Sequence, residues 1–251
     1  MDFDPDAQVL FERADDALHG VWAYFAFAAA SYSCTKDSDL VSKLPPLHPM
    51  TNDWSRAYDP VALVAVMRST FPYYHVRSCL IAIAAIFEGV LADFWELLES
   101  RNIHQAKGSN PDYKPRLDWA FDRLTKTTYG SQGMLARLDQ NRRDVDHVRR
   151  FRNCYLHNNG LYNSKYETTA LPIRGKFDLH KDYVEWKADQ TKPCPVILDD
   201  RDFDKFYKAH VELLHQLHDV IQREDCGYTG TGYSYRDQGK AIDWSRIMHG
   251  I

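Results

Sequence analysis

The chain has 251 residues, enough for one large core or for one domain with elaborations. Its 44% hydrophobic and 26% charged residues are typical of a globular protein, which excludes wholesale disorder and collagen-like repeats. The formal charge of −4 excludes a polybasic coat as the main means of binding nucleic acid, so any such contact requires a local basic patch.

The composition also indicates the compartment. Five widely spaced cysteines without a CxxC pair argue against a disulfide framework or a zinc ribbon and favour a reducing cytosol. The acidic N-terminus does not resemble a signal peptide. The longest uncharged stretches, 20–34 and 78–87, fall short of the roughly 18–20 apolar residues that span a membrane. We therefore expect a cytoplasmic protein with no membrane segment.

The first half of the chain predicts three long helices. Apolar residues recur at helical spacing over about 6–32, at Val9, Ala14, Leu18, Val21, Phe25 and Ala28. A loop rich in Pro, Ser and Asp follows over 33–59 and has the character of an ordered excursion or a lid. The strongest helix covers about 72–100, with Pro72 in its first turn, and a third covers 114–125. The Trp and Phe residues of 21–27 are most simply core.

The second half predicts two more long helices and a hairpin. A short helix over 134–138 precedes one that starts near 139–144, carries Val145, Val148 and Phe151 on an apolar stripe and ends at a left-handed stop, Asn158-Asn159-Gly160. Two short strands, 183–186 and 196–198, form a hairpin. Asp199–Asp204 caps a last helix over about 203–223, whose core face is Phe203, Tyr207, His210, Leu214, Leu217 and Ile221.

The predicted fold is all-α: an antiparallel helical bundle with a small β-hairpin insertion before the last helix. We divide it into an N-terminal helix-and-loop extension packed on the bundle (1–59), a helical domain (60–224) and a C-terminal tail (225–251).

One segment, 142–160, carries the chemistry that the sequence suggests. It places five arginines in eleven positions: Arg142, Arg143, Arg149, Arg150 and Arg152. Their guanidinium groups suit phosphate oxygens, and His147 and His157 can exchange protons near neutral pH. These are the minimum for cleaving RNA without a metal. One group takes the 2′-hydroxyl proton, another protonates the leaving 5′-oxygen, and arginine stabilises the phosphorane.

Helical spacing sharpens this reading without deciding it. Arg149, Asn153 and His157 lie four apart on one face, and Arg152 lies one position round from it. His157 would occupy the last turn, where the helix dipole favours the imidazolium. Chance alone, however, yields roughly one Arg followed five residues later by His. Arg142 and His147 form a second such pair, and an arginine-rich helix is commonly just solvated surface.

The residue identities point to a family. Arg152-Asn153-Cys154-Tyr155-Leu156-His157 resembles the signature of the HEPN superfamily: Arg, a polar residue that is commonly Asn, three further residues, then His. The context is similar too, since a long apolar helix bearing Phe87-Glu88 lies upstream, short helices intervene and a closing helix follows. The resemblance covers roughly 60–223.

This resemblance implies an all-α, metal-independent endoribonuclease without a cofactor, whose two copies face each other across one cleft in a homodimer. Arg152 would bind and stabilise the scissile phosphate, His157 would act as acid/base or orienting group, and Asn153 would position the motif or the phosphate. Arg149 and Arg150 would assist in binding RNA. The products would carry 2′,3′-cyclic phosphate and 5′-hydroxyl ends, and such proteins are often toxins or antiviral defence effectors with an antitoxin or other regulatory partner.

One departure from the family pattern matters, and the role of one residue is open. Some HEPN toxins carry Tyr two residues after the His, where a partner nucleotidyltransferase modifies it, but this chain has Asn159. Glu88 is an acidic partner for Arg152 or His157 in the cleft or, equally, a charge paired with an arginine for structure alone.

Two other functional classes compete with the nuclease. A catalytically inactive HEPN-like module would bind RNA or protein with the same basic helix, and a structural scaffold would do neither. Weaker site candidates are the last-helix histidines as a metal site, Cys154 as a nucleophile and 227–232 as a phosphate loop. The histidines lack the i,i+4 spacing of a metal site, and Cys154 lacks a base. The 227–232 segment lacks the GK[ST] sequence of a phosphate loop.

Overall fold

A computed structural model describes residues 4–36, 39, 60–101, 113–126, 132–158, 160, 196 and 198–225. These ranges are almost wholly helical and contain no strand, which confirms the all-α prediction for this part of the chain. They hold five α-helices and a π-helical turn: α1 (Pro5–Cys34), α2 (Pro60–Ser100), α3 (Tyr113–Lys126), α4 (Gln132–Asn158), α5 (Asp200–Val220) and the turn Ile221–Asp225.

The first helix begins at a capping aspartate. Asp4 Oδ1 accepts hydrogen bonds from the N–H groups of Asp6 at 3.1 Å and Ala7 at 3.0 Å, and Pro5 fills the first helical position, which needs no N–H. The predicted ends of this helix are confirmed to within two residues.

The buried face of α1 contains only some of its regularly spaced apolar residues. Ala14 and Leu18 are buried, but Val9 is 51% exposed. The buried stripe runs instead through Ala7, Phe11, Ala14 and Leu18, at the alternating spacing of four and three residues that keeps side chains on one face. Val9 lies off this stripe.

The second helix passes through a proline. Because α2 begins at Pro60, Pro72 lies inside it, and the prediction of Pro72 in the first turn is wrong. A proline lacks the N–H that would bond the carbonyl four residues earlier, here that of Arg68. The Tyr32 hydroxyl donates to this carbonyl at 2.6 Å instead. A side chain of α1 thus supplies the donor that Pro72 removes.

One part of α2 has the length and composition of a membrane-spanning helix. Among the described helices, Phe71–Ser100 is long and apolar enough to cross a membrane by length and composition. Half of its most apolar 18-residue segment is buried inside the protein. The core helix of a soluble protein can have the same length and apolar composition. The absence of a membrane segment stays a prediction.

The next two helices confirm one prediction and correct another. The third helix lies within a residue of its predicted bounds. The short helix expected at 134–138 is instead the beginning of α4, which runs without a break from Gln132 to Asn158. No glycine or proline interrupts this stretch after residue 133, and Leu138, Asn141, Val145 and Val148 continue one buried face across the predicted gap.

The last helix begins with a reciprocal cap. Asp199 Oδ1 accepts from the N–H groups of Arg201 and Asp202, both at 3.0 Å, and Asp202 Oδ2 accepts from the N–H of Asp199 at 3.1 Å. This confirms the predicted capping segment. All six residues of the predicted core face of α5 and its π-turn are buried: Phe203, Tyr207, His210, Leu214, Leu217 and Ile221.

The chain divides into two compact units. The first comprises Met1–Asp16, Phe87–Asn141 and His210–Ile251, and the second comprises Ala17–Ile86 and Arg142–Ala209. The predicted boundaries after residues 59 and 224 stay predictions. The predicted strand 183–186 lies outside the described residues. Val196 and Leu198, from the other predicted strand, are buried, and neither belongs to a strand.

Candidate functional site

The motif segment forms the C-terminal half of α4 in the second unit. Val145, Val148 and Phe151, the predicted apolar stripe, are fully buried. Cys154 and Tyr155 extend this buried face towards the end of the helix. On the other side of the helix, the predicted site residues are half-buried or, for His157, exposed: Arg149, Arg150, Arg152, Asn153 and His157. The helix therefore turns its polar motif residues away from the core.

Two of the predicted RNA-binding arginines share one carboxylate. Arg149 donates to Asp146 Oδ1 through Nε at 2.9 Å and Nη2 at 2.6 Å, and Arg150 Nε donates to Oδ2 at 2.7 Å. Burial raises the pKa of Asp146, but these two arginines outweigh it and hold the pKa below its usual value. The carboxylate stays ionised and fixes both arginines along the helix surface.

Arg152 and Asn153 are in contact with each other. Arg152 Nη1 donates to Asn153 Oδ1 at 3.5 Å, the long end of the hydrogen-bond range. His157 lies in the last turn of α4, as predicted. Glu88 is partly buried on α2 and belongs to the first unit, so its predicted pairing with Arg152 or His157 stays a prediction.

The end of α4 is built around Gly160. This residue has φ 76°, the left-handed conformation predicted for the stop, and its N–H donates to the Cys154 carbonyl at 3.1 Å. Its carbonyl accepts from the N–H of Val196 at 2.8 Å, and the Tyr155 hydroxyl donates to the Val196 carbonyl at 3.3 Å. The position of His157 thus depends on a helix end held by glycine and tyrosine.

Arg77 of α2 is a contact that the sequence did not reveal. Its guanidinium carbon lies 4.6 Å from the centre of the Tyr155 ring, and its Nη2 donates to the Tyr155 carbonyl at 3.4 Å. The cation therefore supports the last turns of α4, where carbonyls lack helical partners. The available signal was a lone arginine within the apolar stretch 76–87.

A second polar cluster surrounds His147, earlier on α4. Asp144 is buried, and its Oδ1 lies 2.7 Å from Lys205 Nζ of α5 and 4.0 Å from His147 Nδ1. Burial lowers the pKa of His147, Asp144 acts in the opposite direction, and Lys205 lowers it further. His147 is accordingly a neutral imidazole at pH 7.

Cys154 packs in the core as a small apolar side chain. It is fully buried, and burial raises the pKa of its thiol to about 11, which leaves almost no thiolate at neutral pH. The described residues contain no group of three side chains able to hold a metal ion.

The aromatic residues near the middle of α1 are more exposed than predicted. Phe27 is 73% exposed, so placing it in the core was wrong, and Tyr24 beside it is 58% exposed. A shallow groove of about 320 Å³ lies beside Tyr24 and contains none of the motif residues; it is lined by Ala17, Gly20, Val21, Tyr24, Ser78, Cys79 and Ala82.

Comparison with protein families, with curated proteins and with solved structures finds no match to this chain.

Proposed function

We propose that this protein is a metal-independent endoribonuclease of the HEPN type, active as a cytoplasmic homodimer and used as a toxin or antiviral defence effector. In this proposal residues 60–224 form a HEPN-like antiparallel bundle. The observation that supports it is the end of α4, where the Arg-Asn-x-x-x-His residues lie on the polar side of a helix held by Gly160, Tyr155 and Arg77.

The proposed reaction needs no group beyond two copies of this motif. The 2′-oxygen attacks phosphorus and the bond to the 5′-oxygen breaks, which gives a 2′,3′-cyclic phosphate and a 5′-hydroxyl. One His157 accepts the 2′-hydroxyl proton, and the His157 of the second copy protonates the leaving 5′-oxygen. Arg152 neutralises charge on the phosphorane, and Asn153, in contact with Arg152, orients its guanidinium.

The surrounding cations would bind the rest of the RNA backbone. Arg149 and Arg150 are held side by side by Asp146, so they present two guanidinium groups next to the motif. Positive charge concentrated on α4 compensates for a chain whose net charge is −4. Pairing of two chains would double this field, which is the physical motive for a dimer.

The test is cleavage of RNA in EDTA by the wild type and by His157→Ala and Arg152→Ala. We expect each substitution to reduce the rate by about 100-fold or more. The matched controls are His147→Ala and Arg142→Ala, the same pair of residue types at the same spacing on the same helix. They should retain most of the activity, and the products should carry cyclic phosphate ends.

Several outcomes would reject this proposal. Cleavage that requires a divalent metal, or that survives both motif substitutions, would remove the nuclease assignment. Salt-dependent RNA binding without turnover would identify the inactive binding module instead. Light scattering tests the dimer, and a monomer that cleaves RNA would contradict the composite site.

A further inference from the structure

A buried histidine of α5 forms a hydrogen-bonded cluster in the first unit, away from the motif. His218 is 2% exposed, and its ring stacks on Phe11 of α1 with 4.2 Å between ring centres. Its Nε2 lies 3.2 Å from Nε2 of Gln222, a fully buried residue of the π-helical turn. Single π-turns of this kind are frequent at functional positions.

The Gln222 side chain joins this histidine to the beginning of α1. Gln222 Oε1 accepts from the N–H of Asp4 at 2.9 Å, and its Nε2 donates to the Asp4 carbonyl at 3.1 Å. Asp4 is also the N-cap of α1, and its carboxylate is paired with Arg101. One amide therefore holds the residue that starts the helix.

These bonds fix the protonation state of His218. Because the Asp4 N–H can only donate, the amide oxygen of Gln222 must face it, and the amide nitrogen must face Asp4 O and His218. His218 Nε2 must then accept a hydrogen bond, which only a neutral imidazole can do. If the Gln222 amide were rotated by 180° so that its oxygen accepted from an imidazolium, its nitrogen would face the Asp4 N–H, and two donors would be in contact.

The charged groups around the cluster do not favour an imidazolium at His218. His215 lies against the edge of the Phe11 ring and adds repulsion when protonated. Three carboxylates of this unit are already engaged: Asp15 bonds His215 Nε2 at 3.1 Å, and Asp4 and Asp6 pair with Arg101. On α5 itself, Asp219 pairs with Arg223. Burial is the main cause that lowers the pKa of His218 to about 4, followed by His215.

We propose that His218, Gln222 and Asp4 form a proton-sensitive latch, which holds the first turn of α1 at neutral pH and releases it when His218 is protonated. The acceptor nitrogen then becomes a donor facing a donor. If Gln222 keeps its two hydrogen bonds to Asp4, its amide N–H group faces the buried, charged imidazolium of His218. Separation of Gln222 from His218 and Asp4 removes this repulsion. The first turn of α1 loses its anchor, while the remainder of the helix keeps its own contacts.

The experiment is hydrogen exchange of residues 5–12 between pH 7 and pH 4.5, corrected for intrinsic exchange rates. The pKa of His218 is ordinarily 6.5 and falls to about 4 in the folded protein. Each pH unit below 6.5 within this interval should raise the population in which the first turn of α1 is released about tenfold, which gives about 30-fold by pH 5. Exchange in α3 should not follow the same change, since that would indicate global unfolding.

Two variants separate the latch from general acid sensitivity. His218→Gln keeps an acceptor for Gln222 and cannot titrate, so the pH response should vanish. His215→Gln removes the neighbouring histidine and should leave the response in place. In the wild type, ¹³C NMR of His218 should report a pKa well below 6.5. An ordinary pKa, unchanged protection at pH 5, or an equal response in His218→Gln would each overturn the proposal.

Discussion

Tyr32 and Arg68 exchange hydrogen bonds in both directions between α1 and α2. The tyrosine hydroxyl donates to the arginine carbonyl, and the arginine Nη1 donates to the tyrosine carbonyl, each at 2.6 Å. The guanidinium carbon also lies 4.5 Å from the centre of the tyrosine ring. This exchange satisfies the carbonyl that Pro72 leaves without a partner and one of the last carbonyls of α1.

Removing the tyrosine hydroxyl should therefore matter only while the proline is present. We expect Tyr32→Phe to lower the free energy of unfolding by about 1–2 kcal/mol, since it leaves a partly buried carbonyl unsatisfied. In a Pro72→Ala background the restored N–H bonds that carbonyl, and the loss should shrink to a few tenths of that size. Urea unfolding of the four proteins measures this coupling, and additive effects would show that the two features are independent.

The end of α4 should be intolerant of a side chain at residue 160. A Cβ on Gly160 would lie 2.9 Å from Tyr155 Cδ1, and φ is 76°. We expect Gly160→Ala to lower the free energy of unfolding by about 1–3 kcal/mol. Gly89→Ala is the matched control, because its Cβ would meet nothing within 4 Å, and should stabilise the protein by about 0.5–1 kcal/mol. Equal effects from both would contradict the packing described here.

Asp146 should restrain the RNA affinity of the neighbouring arginines. If the proposed function is correct, Asp146→Asn frees Arg149 and Arg150 from a carboxylate and should raise affinity for RNA by roughly 3- to 10-fold. The salt dependence should steepen by about one phosphate contact. Asp204→Asn makes the same charge change on α5, where its partner is Lys208, and should have little effect. Fluorescence anisotropy at several salt concentrations distinguishes the two.

The His147 cluster predicts opposite pKa changes in two variants. Lys205→Met removes a cation that lowers the pKa of His147, so the pKa should rise. Asp144→Asn removes the anion that raises it, so the pKa should fall below its already lowered value. NMR titration of His147 measures both pKa shifts. Shifts in the same direction would show that the imidazole does not lie beside Asp144 and Lys205.

Stability should depend on pH because two histidines titrate abnormally. The folded protein holds His147 and His218 neutral, whereas the unfolded chain binds their protons near the ordinary value of 6.5. The free energy of unfolding should therefore fall as pH decreases below 6.5, by about 3 kcal/mol for His218 once pH reaches 4. Unfolding at several pH values tests this, and His218→Gln should flatten the curve.

Much of the helical framework was predictable because periodicity and capping agree locally. The core face of α5 and the aspartates that begin it came directly from the sequence, as did the left-handed stop at Gly160. The prediction that Pro72 lies in the first turn of its helix was wrong for a tertiary reason. The donor that allows a helix to contain this proline comes from Tyr32, forty positions earlier. The prediction that Phe27 is in the core was wrong because apolar character alone does not show which side of a helix meets protein.

The candidate site was predictable only as a list of residues. The resemblance indicated Arg152, Asn153 and His157, and the spacing of three and four residues from Asp146 to Arg149 and Arg150 was a signal for their shared carboxylate that went unused. Spacing could not reveal that Arg77 lies on Tyr155, because that contact depends on packing between helices distant in sequence. The pairing of Asp144 with Lys205 is of the same kind.

The contact between Gly160 and Tyr155 also constrains how this sequence can change during evolution. Because the ring occupies the space that a side chain at residue 160 would need, the interval between the aromatic residue and the glycine has a fixed length. An insertion or deletion there would move the end of the helix relative to His157. Distant relatives that share this helix end should therefore keep an aromatic residue five positions before a glycine, whether or not they keep the histidine.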